Sequence, residues 1–593
     1  MSDVRYEPSA WSLDDLLPAP HGPELDRILA DLETTVAELE ANRDYLSPDI
    51  PADRFVHLVE LMERIATLSA PLASYGRLWF SGDTQNQDAL AFRGRMEKLL
   101  AEIKNRVLFF DLWWKGLDDG PAERLLAVVN DDLRYYLESQ RRFRPHTLSE
   151  AEEKVINIKD INGVHALRTL YDMITNGYTF EMEVEGEIKH LTRSEITAYI
   201  YSPSPDLRAA AYRSMYRVYG GQAPILGQIY QHIVRDWAGE NLVLRRFASP
   251  IAVRNLANDI PDHVVDTLLT VCRENTPLFR RYFRLKAGWL GMDKLRRYDI
   301  YAPVGGSDPK YTFDEAVHMT LDSLNDFAPI LADHARRVLD ENHLDSEIRP
   351  RKESGAFCAS VLPGLTPWVL VNFTGQARDV ATLAHELGHA VHSMMAQEHS
   401  PLTFHASLPL AETASVFSEM LLMERLLNTE QDRAVRRSIL TRFVDNAYAT
   451  VQRQAFFVLF ERVAHRMIES GATTDDLAEH YFANLQEQFG DALELNDEFR
   501  WEWTSIPHIY HVPFYCYAYA FGQLLVLALF RRYKEEEKTF IPRYLNILSY
   551  GGSAGPAHIL GEAGFDMADP AFWQGGFDMI AEMIARLEEP SAD

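Results

Sequence analysis

Helical periodicity is the feature of this sequence that most limits how the chain can fold. Between residues 24 and 39, apolar side chains recur every three or four positions, which puts them on one face of a helix. These side chains are Leu25, Ile28, Leu29, Leu32, Val36 and Leu39. Similar stripes recur to about residue 175, among them Ile103 to Trp114, which we interpret as core. The pattern predicts a mainly α fold, and 593 residues, 47% of them hydrophobic, are enough for several packed cores.

Strand patterns are rare and fall in two places. Residues 178–191 alternate apolar and polar side chains around Gly186, which predicts a β-hairpin. A second strand-rich region begins with residues 298–306, continues with a helix over about 313–339, and ends with two strands within 355–375. Because the last two strands lead directly into an apolar helix, we predict a small β-sheet beside that helix.

Charge and composition argue against two classes of partner. The net charge is −28, whereas binding to nucleic acid needs clustered Lys and Arg. The apolar run closest to the roughly 18 residues of a membrane span is 514–530, but its tyrosines, Gly522 and Gln523 are typical of a buried helix. The three cysteines lie far apart, and the N-terminus lacks a basic segment followed by an apolar core. We therefore expect a cytoplasmic protein with no nucleic-acid or membrane partner.

The segment ATLAHELGHAVHSMM contains the pattern HExxH as His385, Glu386 and His389. Residues four apart lie about 40° from each other around a helix and one turn along it, so both imidazoles can converge on one metal ion. Glu386 lies about 100° from His385, within reach of a metal-bound water without being a ligand. The neighbouring residues are apolar, so the histidines belong to a largely buried helix in which a metal satisfies them. Gly388 costs about 1 kcal/mol relative to Ala, which indicates a close approach by a backbone or a ligand, or ordinary helix packing.

Catalytic zinc takes three protein ligands and one open position, so a third ligand is expected from a later element. We predict Glu412, in LPLAETASVFSEMLLMERLL, with His405 in the preceding loop as the competing candidate. Glu419 lies seven residues further on the same helix face, which is otherwise apolar. Since an unpaired carboxylate is costly there, we predict a hydrogen bond to a metal ligand, with a position at the rim as the alternative.

Two other residues of the HExxH helix each have two interpretations. His392 continues the row of histidines, but three ligands spread over about 10 Å of one helix cannot meet at one ion. We therefore interpret His392 as a packed histidine or one that hydrogen-bonds a metal ligand. Asp379, in the first turn, either interacts with the helix dipole or orients a metal-bound histidine.

The segment PHIYHVPFYCYAYAFGQ concentrates polar aromatic side chains between residues 507 and 523. They are His508, Tyr510, His511, Tyr515, Tyr517 and Tyr519. For each tyrosine taken alone, packing in the core is as good an explanation as a role in catalysis. The cluster as a whole suits a second need of amide hydrolysis, which is hydrogen-bond donation to the tetrahedral oxyanion.

Three segments together resemble the oligoendopeptidase F and thimet oligopeptidase family of zinc metallopeptidases, most closely the oligoendopeptidase F branch. They are HELGHAVH, ETASVFSE and HIYHVPFYCYAYAFG, supported by SGAFC, VNFTG, GGS at 551–553 and the opening WSLDDLL. HExxH alone occurs in many peptidases, whereas the combination is specific, and the similarity spans essentially the whole chain.

The resemblance implies a two-lobed helical metallopeptidase with a deep substrate channel. It implies one zinc per chain, bound by His385, His389 and Glu412, with Glu386 as the general base on the zinc-bound water. The family's oxyanion donors map onto His508 and Tyr517, although Phe514 stands where the thimet branch has a further tyrosine, so Tyr515 or Tyr510 could take that role. We accordingly divide the chain into an N-terminal helical region, 1–192, which ends with the hairpin, and a catalytic zinc-peptidase region, 193–593.

The predicted function is zinc-dependent hydrolysis of internal bonds in short, unstructured peptides. An extended substrate is expected to add to the edge strand near Gly355 and Ala356 through main-chain hydrogen bonds. Two alternatives are a zinc carboxypeptidase or dipeptidase on a similar helical shell, and a peptide-binding protein without catalysis.

Overall fold

The computed structural model describes residues 5–304 and 309–589, and the described residues are mainly α-helical. The helices of the first half are α1 (Pro23–Ala41), α2 (Ala52–Gly82), α3 (Gln87–Gly116), α4 (Asp119–Leu126), α5 (Asp131–Arg141), α6 (Glu150–Asn162), α7 (Val164–Asn176), α8 (Arg193–Ile200), α9 (Pro205–Trp237), α10 (Ala252–Ala257), α11 (Asp262–Glu274) and α12 (Thr276–Trp289). Those of the second half are α13 (Phe313–Phe327), α14 (Pro329–Asp340), α15 (Ala377–Met395), α16 (Thr413–Thr429), α17 (Arg433–Ala447), α18 (Arg453–Glu469), α19 (Thr474–Phe489), α20 (Pro507–His511), α21 (Tyr517–Glu536), α22 (Ile541–Ser549), α23 (Pro556–Glu562) and α24 (Pro570–Glu588). The predicted apolar stripe of α1 is buried at Leu25, Ile28, Leu32, Val36 and Leu39, which confirms the periodicity argument.

The strands are short and form small sheets. The predicted hairpin is confirmed as β1 (Phe180–Val184) paired antiparallel with β2 (Glu187–Leu191). Strand β3 (Leu295–Arg296) pairs in parallel with β7 (Leu493–Glu494). A three-stranded sheet has the order β4-β6-β5, with β4 (Leu344–Asp345) parallel and β5 (Phe357–Ala359) antiparallel to β6 (Trp368–Leu370). Strands β5 and β6 are the two predicted within 355–375, and β5 lies at an edge of the sheet beside α15.

Two sequence-based expectations before α15 need correction. Residues 298–306 were predicted as strand, but Arg297–Asp299 form a 3-10 turn, and Gly305 and Gly306 lie outside the described residues. The single helix predicted over about 313–339 is divided into α13 and α14 at Ala328, which has an extended φ of −153°. The division follows from Pro329, because proline disfavours helical geometry in the residue that precedes it and begins helices well.

The chain forms two compact units, each assembled from three segments. Unit 1 comprises residues 1–147, 308–429 and 529–566, and unit 2 comprises 148–307, 430–528 and 567–593. Each unit combines segments that are distant in the sequence, whereas the predicted regions, 1–192 and 193–593, are consecutive stretches of the chain. Those regions stay a prediction. None of the helices in the described part of the chain combines the length and apolar character needed to cross a lipid bilayer.

Candidate active site

Helix α15 in unit 1 carries the HExxH residues. Its start is fixed by Asp379, whose Oδ2 accepts hydrogen bonds from the backbone N–H groups of Thr374 and Gln376 and from the Thr374 hydroxyl. This places Asp379 in the role of a carboxylate at a helix N-terminus, the first of its two predicted roles. The apolar face of α15 is buried, at Val380, Leu383, Ala384, Leu387, Ala390 and Val391. His385, Glu386 and His389 are thereby held on a rigid helix.

Gly388 allows the next helix, α16, to pack directly against α15. A Cβ atom added at Gly388 would lie 2.6 Å from Ser415 Cα and 2.7 Å from the Ala414 carbonyl oxygen. The close neighbour expected at this glycine is therefore the backbone of α16. The contact brings Glu412, the residue that precedes α16, and Glu419, two turns later, to the histidines of α15.

Three side chains converge beside α15. Glu412 Oε2 lies 3.4 Å from His385 Nε2 and 3.5 Å from His389 Nε2, and one donor atom from each residue lies within 4.8 Å of the others. The Ser415 hydroxyl donates to Glu412 Oε2 over 2.7 Å, which orients the carboxylate. The donor set contains Glu412 rather than the competing candidate His405.

Glu419 lies on the far side of His385 from Glu412. Its Oε1 is 2.6 Å from His385 Nδ1, the hydrogen bond expected from the sequence. Because an ionised carboxylate only accepts, Nδ1 carries the hydrogen and Nε2 is directed toward Glu412. Burial opposes a charge on His385, but the hydrogen bond that His385 donates to Glu419 and the nearby carboxylates outweigh it and raise the pKa of His385 to about 9. Burial lowers the pKa of His389 to about 4, so that ring is neutral at pH 7.

This donor set fits a zinc ion. Two imidazole nitrogens and one carboxylate oxygen are a ligand set of catalytic zinc sites, which leave a further position open. A carboxylate that accepts from the second nitrogen of a ligating histidine is the usual supporting contact. His392, one turn beyond His389, is 6% exposed, and burial lowers its pKa to about 4, in keeping with its interpretation as a packed histidine.

Glu386 faces a cavity of about 410 Å³ in unit 1. Five predicted site residues line it, namely Ala356, His385, Glu386, His389 and His405, and Phe357 and Cys358 of the edge strand also contribute. Glu386 is 7% exposed, and burial raises its pKa to about 7. A carboxyl group with a pKa near neutrality can both accept and return a proton. Gly355, which has a φ of 92°, lies two residues before β5 and is not among the residues that line the cavity.

The histidine and tyrosines of residues 507–523 belong to unit 2. The rings of His508 and Tyr515 are parallel, with centroids 6.1 Å apart, and Tyr519 meets His508 edge-on with its hydroxyl 3.3 Å from Nε2. All three side chains are half-buried. Burial lowers the pKa of His508, which keeps the imidazole neutral.

Tyr517 and Tyr510 occupy different surroundings from these three. Tyr517 is 0% exposed, and its hydroxyl accepts a hydrogen bond of 2.8 Å from Asn258 Nδ2. Tyr510 is also buried and stacks on Tyr171 at 3.9 Å. In this structure the predicted oxyanion donor Tyr517, the first residue of α21, is thus engaged in the interior of unit 2, whereas Tyr515 precedes the helix.

Several residues near the metal candidates were missed by sequence reasoning. Ser415 orients Glu412, and its position three residues after that glutamate, at a helix start, was an available signal. Cys358 lines the cavity beside Glu386, and the Ser360 hydroxyl bonds the Ser393 hydroxyl, which joins the edge strand to α15. The serine pair joins residues 33 positions apart, so no local pattern marked it.

Comparisons with known proteins agree with this geometry. The profile of Peptidase family M3 matches residues 198–579, and that of Oligopeptidase F matches residues 116–180. The chain is 26% identical to Oligopeptidase PepF of Bacillus subtilis, over 99% of this chain and 88% of the relative. It is 28% identical to an oligoendopeptidase F homolog of Borreliella burgdorferi, over 93% and 92% of the two chains. The crystal structure of oligoendopeptidase-F from Enterococcus faecium superposes with a TM-score of 0.71 at 25% identity, over 95% of this chain and 99% of that one.

Proposed function

The chain belongs to peptidase family M3, in its oligoendopeptidase F branch, and from this premise we propose that it is a zinc-dependent enzyme that cuts short, unstructured peptides internally. Membership makes it a metalloendopeptidase that hydrolyses peptide bonds. The identity of the metal, the residues that hold it and the general base are parts of the proposal.

The observation that carries the proposal is the convergence of His385, His389 and Glu412, with Glu412 Oε2 3.4 Å from His385 Nε2 and 3.5 Å from His389 Nε2. These three residues would hold the zinc ion, with Ser415 orienting Glu412 and Glu419 fixing the tautomer of His385. The chemistry that zinc supplies at such a site is Lewis-acid polarisation of the scissile carbonyl and a lower pKa for the attacking water.

Glu386 acts as the general base in this proposal. It removes a proton from the attacking water and later delivers that proton to the leaving amine. Its burial against the cavity supports both steps, because the raised pKa of about 7 lets the carboxyl group exist in either state at neutral pH. Its position next to His385 on α15 keeps the carboxylate beside the metal ligands.

His508 and a tyrosine of residues 507–523 donate hydrogen bonds to the oxyanion. The half-exposed Tyr515, whose ring lies parallel to His508, is better suited to this role than Tyr517, whose hydroxyl is bonded to Asn258. We therefore propose His508 and Tyr515 as the donors. A neutral His508 suits donation, because one ring nitrogen carries a hydrogen while the other accepts from Tyr519.

The peptide substrate is proposed to pair with the free edge of β5. Among the described residues this strand pairs with β6 alone, and residues 356–358 line the cavity that contains Glu386. Main-chain hydrogen bonds to an edge strand give affinity with little dependence on side chains, which supports a broad choice of peptides. The predicted cytoplasmic location stays a prediction.

The test compares Glu386→Gln with the wild-type protein on a peptide blocked at both ends. The variant should keep one zinc per chain and its peptide affinity but lose nearly all turnover, because an amide cannot accept the proton. Mass spectrometry of the wild-type products should show cleavage at internal bonds. Turnover by the variant within about tenfold of wild type would remove Glu386 from the reaction. Failure to cut any end-blocked peptide would favour a carboxypeptidase or dipeptidase, and rapid digestion of a stable folded protein would contradict selection for unstructured peptides.

A further inference from the structure

The chain reverses direction between α20 and α21 through a strained β-turn. Tyr515 N–H donates to the Val512 carbonyl oxygen over 3.1 Å, which closes a four-residue turn with Pro513 and Phe514 at its centre. Proline at the second position and a positive φ at the third are the features of a type II turn. Phe514 occupies the third position with a φ of 59°. Glycine is the usual residue there, because the Cβ atom of any other residue is crowded in this conformation.

A buried carboxyl group supports this turn. Phe514 N–H donates over 2.9 Å to Oε1 of Glu461, which lies on α18. This amide points away from the turn's own hydrogen bond and is buried, so it needs a partner from elsewhere in the fold. Glu461 is 0% exposed, and its Oε2 has no hydrogen-bond partner within the described ranges. Burial raises its pKa to about 8, but an acceptor oxygen remains whether the group is charged or neutral.

Glu461 makes the hydrogen bond to the turn and is also attracted electrostatically to the Arg254 guanidinium. A carboxyl group in an apolar interior is unfavourable unless its hydrogen bonds are used, and here one bond is made, to the turn. The Phe514 ring is buried against the His465 ring, one turn further along α18, with centroids 4.6 Å apart. The ring contact fixes the side chain of Phe514, and the Glu461 contact fixes its backbone.

The turn lies between the side chains that the proposed function uses. His508 precedes it on α20, Tyr515 closes it, and Tyr519 lies in the first turn of α21. A change in the φ angle of Phe514 would rotate everything that follows, and would therefore move Tyr515 and Tyr519 relative to His508. Their parallel and edge-on ring contacts depend on the turn keeping its left-handed residue.

We propose that Glu461 is a positioning residue for peptide hydrolysis, which holds the 512–515 turn in its type II form and so keeps Tyr515 and Tyr519 against His508. The role rests on the proposed function, in which His508 and Tyr515 donate to the oxyanion. It requires an acceptor at this position and does not require a charge.

The experiment compares Glu461→Met and Glu461→Gln in the full-length zinc-loaded protein. Methionine has a similar length but no acceptor for the Phe514 amide, so kcat should fall by about 10- to 100-fold, the scale of a 1 Å misplacement, with KM nearly unchanged. Glutamine keeps a carbonyl oxygen and should retain kcat within about threefold of wild type. The melting temperature should fall in Glu461→Met, because the buried Phe514 N–H loses its acceptor, so kcat is compared well below that temperature. Zinc content should be unchanged in both.

His465→Leu provides the matched control, because it lies on the same helix, is buried and contacts the same phenylalanine without bonding its backbone. It should keep wild-type kcat. Wild-type kcat in Glu461→Met, or an equal loss in Glu461→Gln and Glu461→Met, would overturn the role of Glu461. His508→Ala separates the two proposals: if it is inactive while Glu461→Met is fully active, only the positioning role fails. If His508→Ala retains wild-type kcat, the oxyanion assignment itself is wrong.

A second pair of variants keeps the proposal testable if Glu461→Met does not fold. Phe514→Gly and Phe514→Ala both remove the ring, but only glycine adopts a φ of 59° without strain. With Glu461 present, its hydrogen bond should hold either residue in the turn, whereas strain should still favour glycine. The glycine variant should therefore have a kcat several-fold above that of the alanine variant. Equal kcat values would show that the left-handed conformation at this position does not matter for turnover.

Discussion

Replacing Gly388 by alanine tests whether the approach of α16 to α15 builds the metal site. Alanine is favoured over glycine within a helix by about 1 kcal/mol. Against this, the new Cβ atom would lie 2.6 Å from Ser415 Cα, whereas carbon atoms pack at about 3.5–4.0 Å. The obstructing atoms are backbone, so they cannot rotate away, and overpacking of this kind costs about 1–3 kcal/mol. We expect a net change in the free energy of unfolding between about zero and 2 kcal/mol, toward lower stability.

Gly94 provides the matched control. It also lies inside a helix of unit 1, α3, but a Cβ atom added there would meet nothing within 4 Å. Gly94→Ala should therefore gain up to about 1 kcal/mol of stability, because no steric clash offsets the higher helix propensity of alanine. The difference between the two variants isolates the close contact, and should be about 1–3 kcal/mol.

The effect on the metal is the more specific part of this prediction. If α16 moves away from α15, Glu412 moves with it, because this residue immediately precedes the helix. Zinc affinity should fall by about tenfold or more in Gly388→Ala, the range seen when groups that orient metal ligands are lost, and should be unchanged in Gly94→Ala. Urea unfolding with the metal chelated measures stability without the contribution of binding, and competition with a chromophoric chelator measures affinity. The reasoning would be refuted if Gly388→Ala had the same stability and the same zinc affinity as Gly94→Ala.

Three further substitutions address individual side chains. Glu412→Ala should lose most of the bound zinc in elemental analysis, because two imidazoles leave the site under-coordinated; full retention would reassign the third ligand to His405. Glu419→Ala should weaken zinc binding by about 10- to 100-fold in a chelator competition while the stoichiometry at saturating zinc stays at one, and unchanged affinity would contradict its role in fixing the tautomer. Tyr515→Phe should lower kcat by about 10²–10³ with KM nearly constant, whereas Tyr517→Phe should change kcat by less than about tenfold; the reverse result in steady-state kinetics would restore Tyr517 as the donor.

Local patterns in the sequence predicted most of the features that belong to a single helix or hairpin. The apolar period of 3.6 residues predicted α1, and alternation around a glycine predicted the β1–β2 hairpin, because these elements are stabilised by neighbours in the sequence. The HExxH spacing predicted that His385 and His389 share a helical face, since the helix repeat alone decides this. Glu412 was predicted from the need for a third ligand, but its distance to the histidines depends on the packing of α16 against Gly388.

The sequence by itself therefore determined the mainly α character, the HExxH helix and the family, each of which follows from spacing along the chain. Only the tertiary structure decided which tyrosine hydroxyl is engaged in the interior, because Tyr517 bonds Asn258, 259 positions earlier. It also decided how a phenylalanine occupies a turn position that favours glycine, through a carboxyl group 53 residues away. Such contacts join residues that are distant in the sequence, and they depend on side-chain directions that arise when whole helices pack together. Local patterns in the sequence therefore cannot predict these contacts.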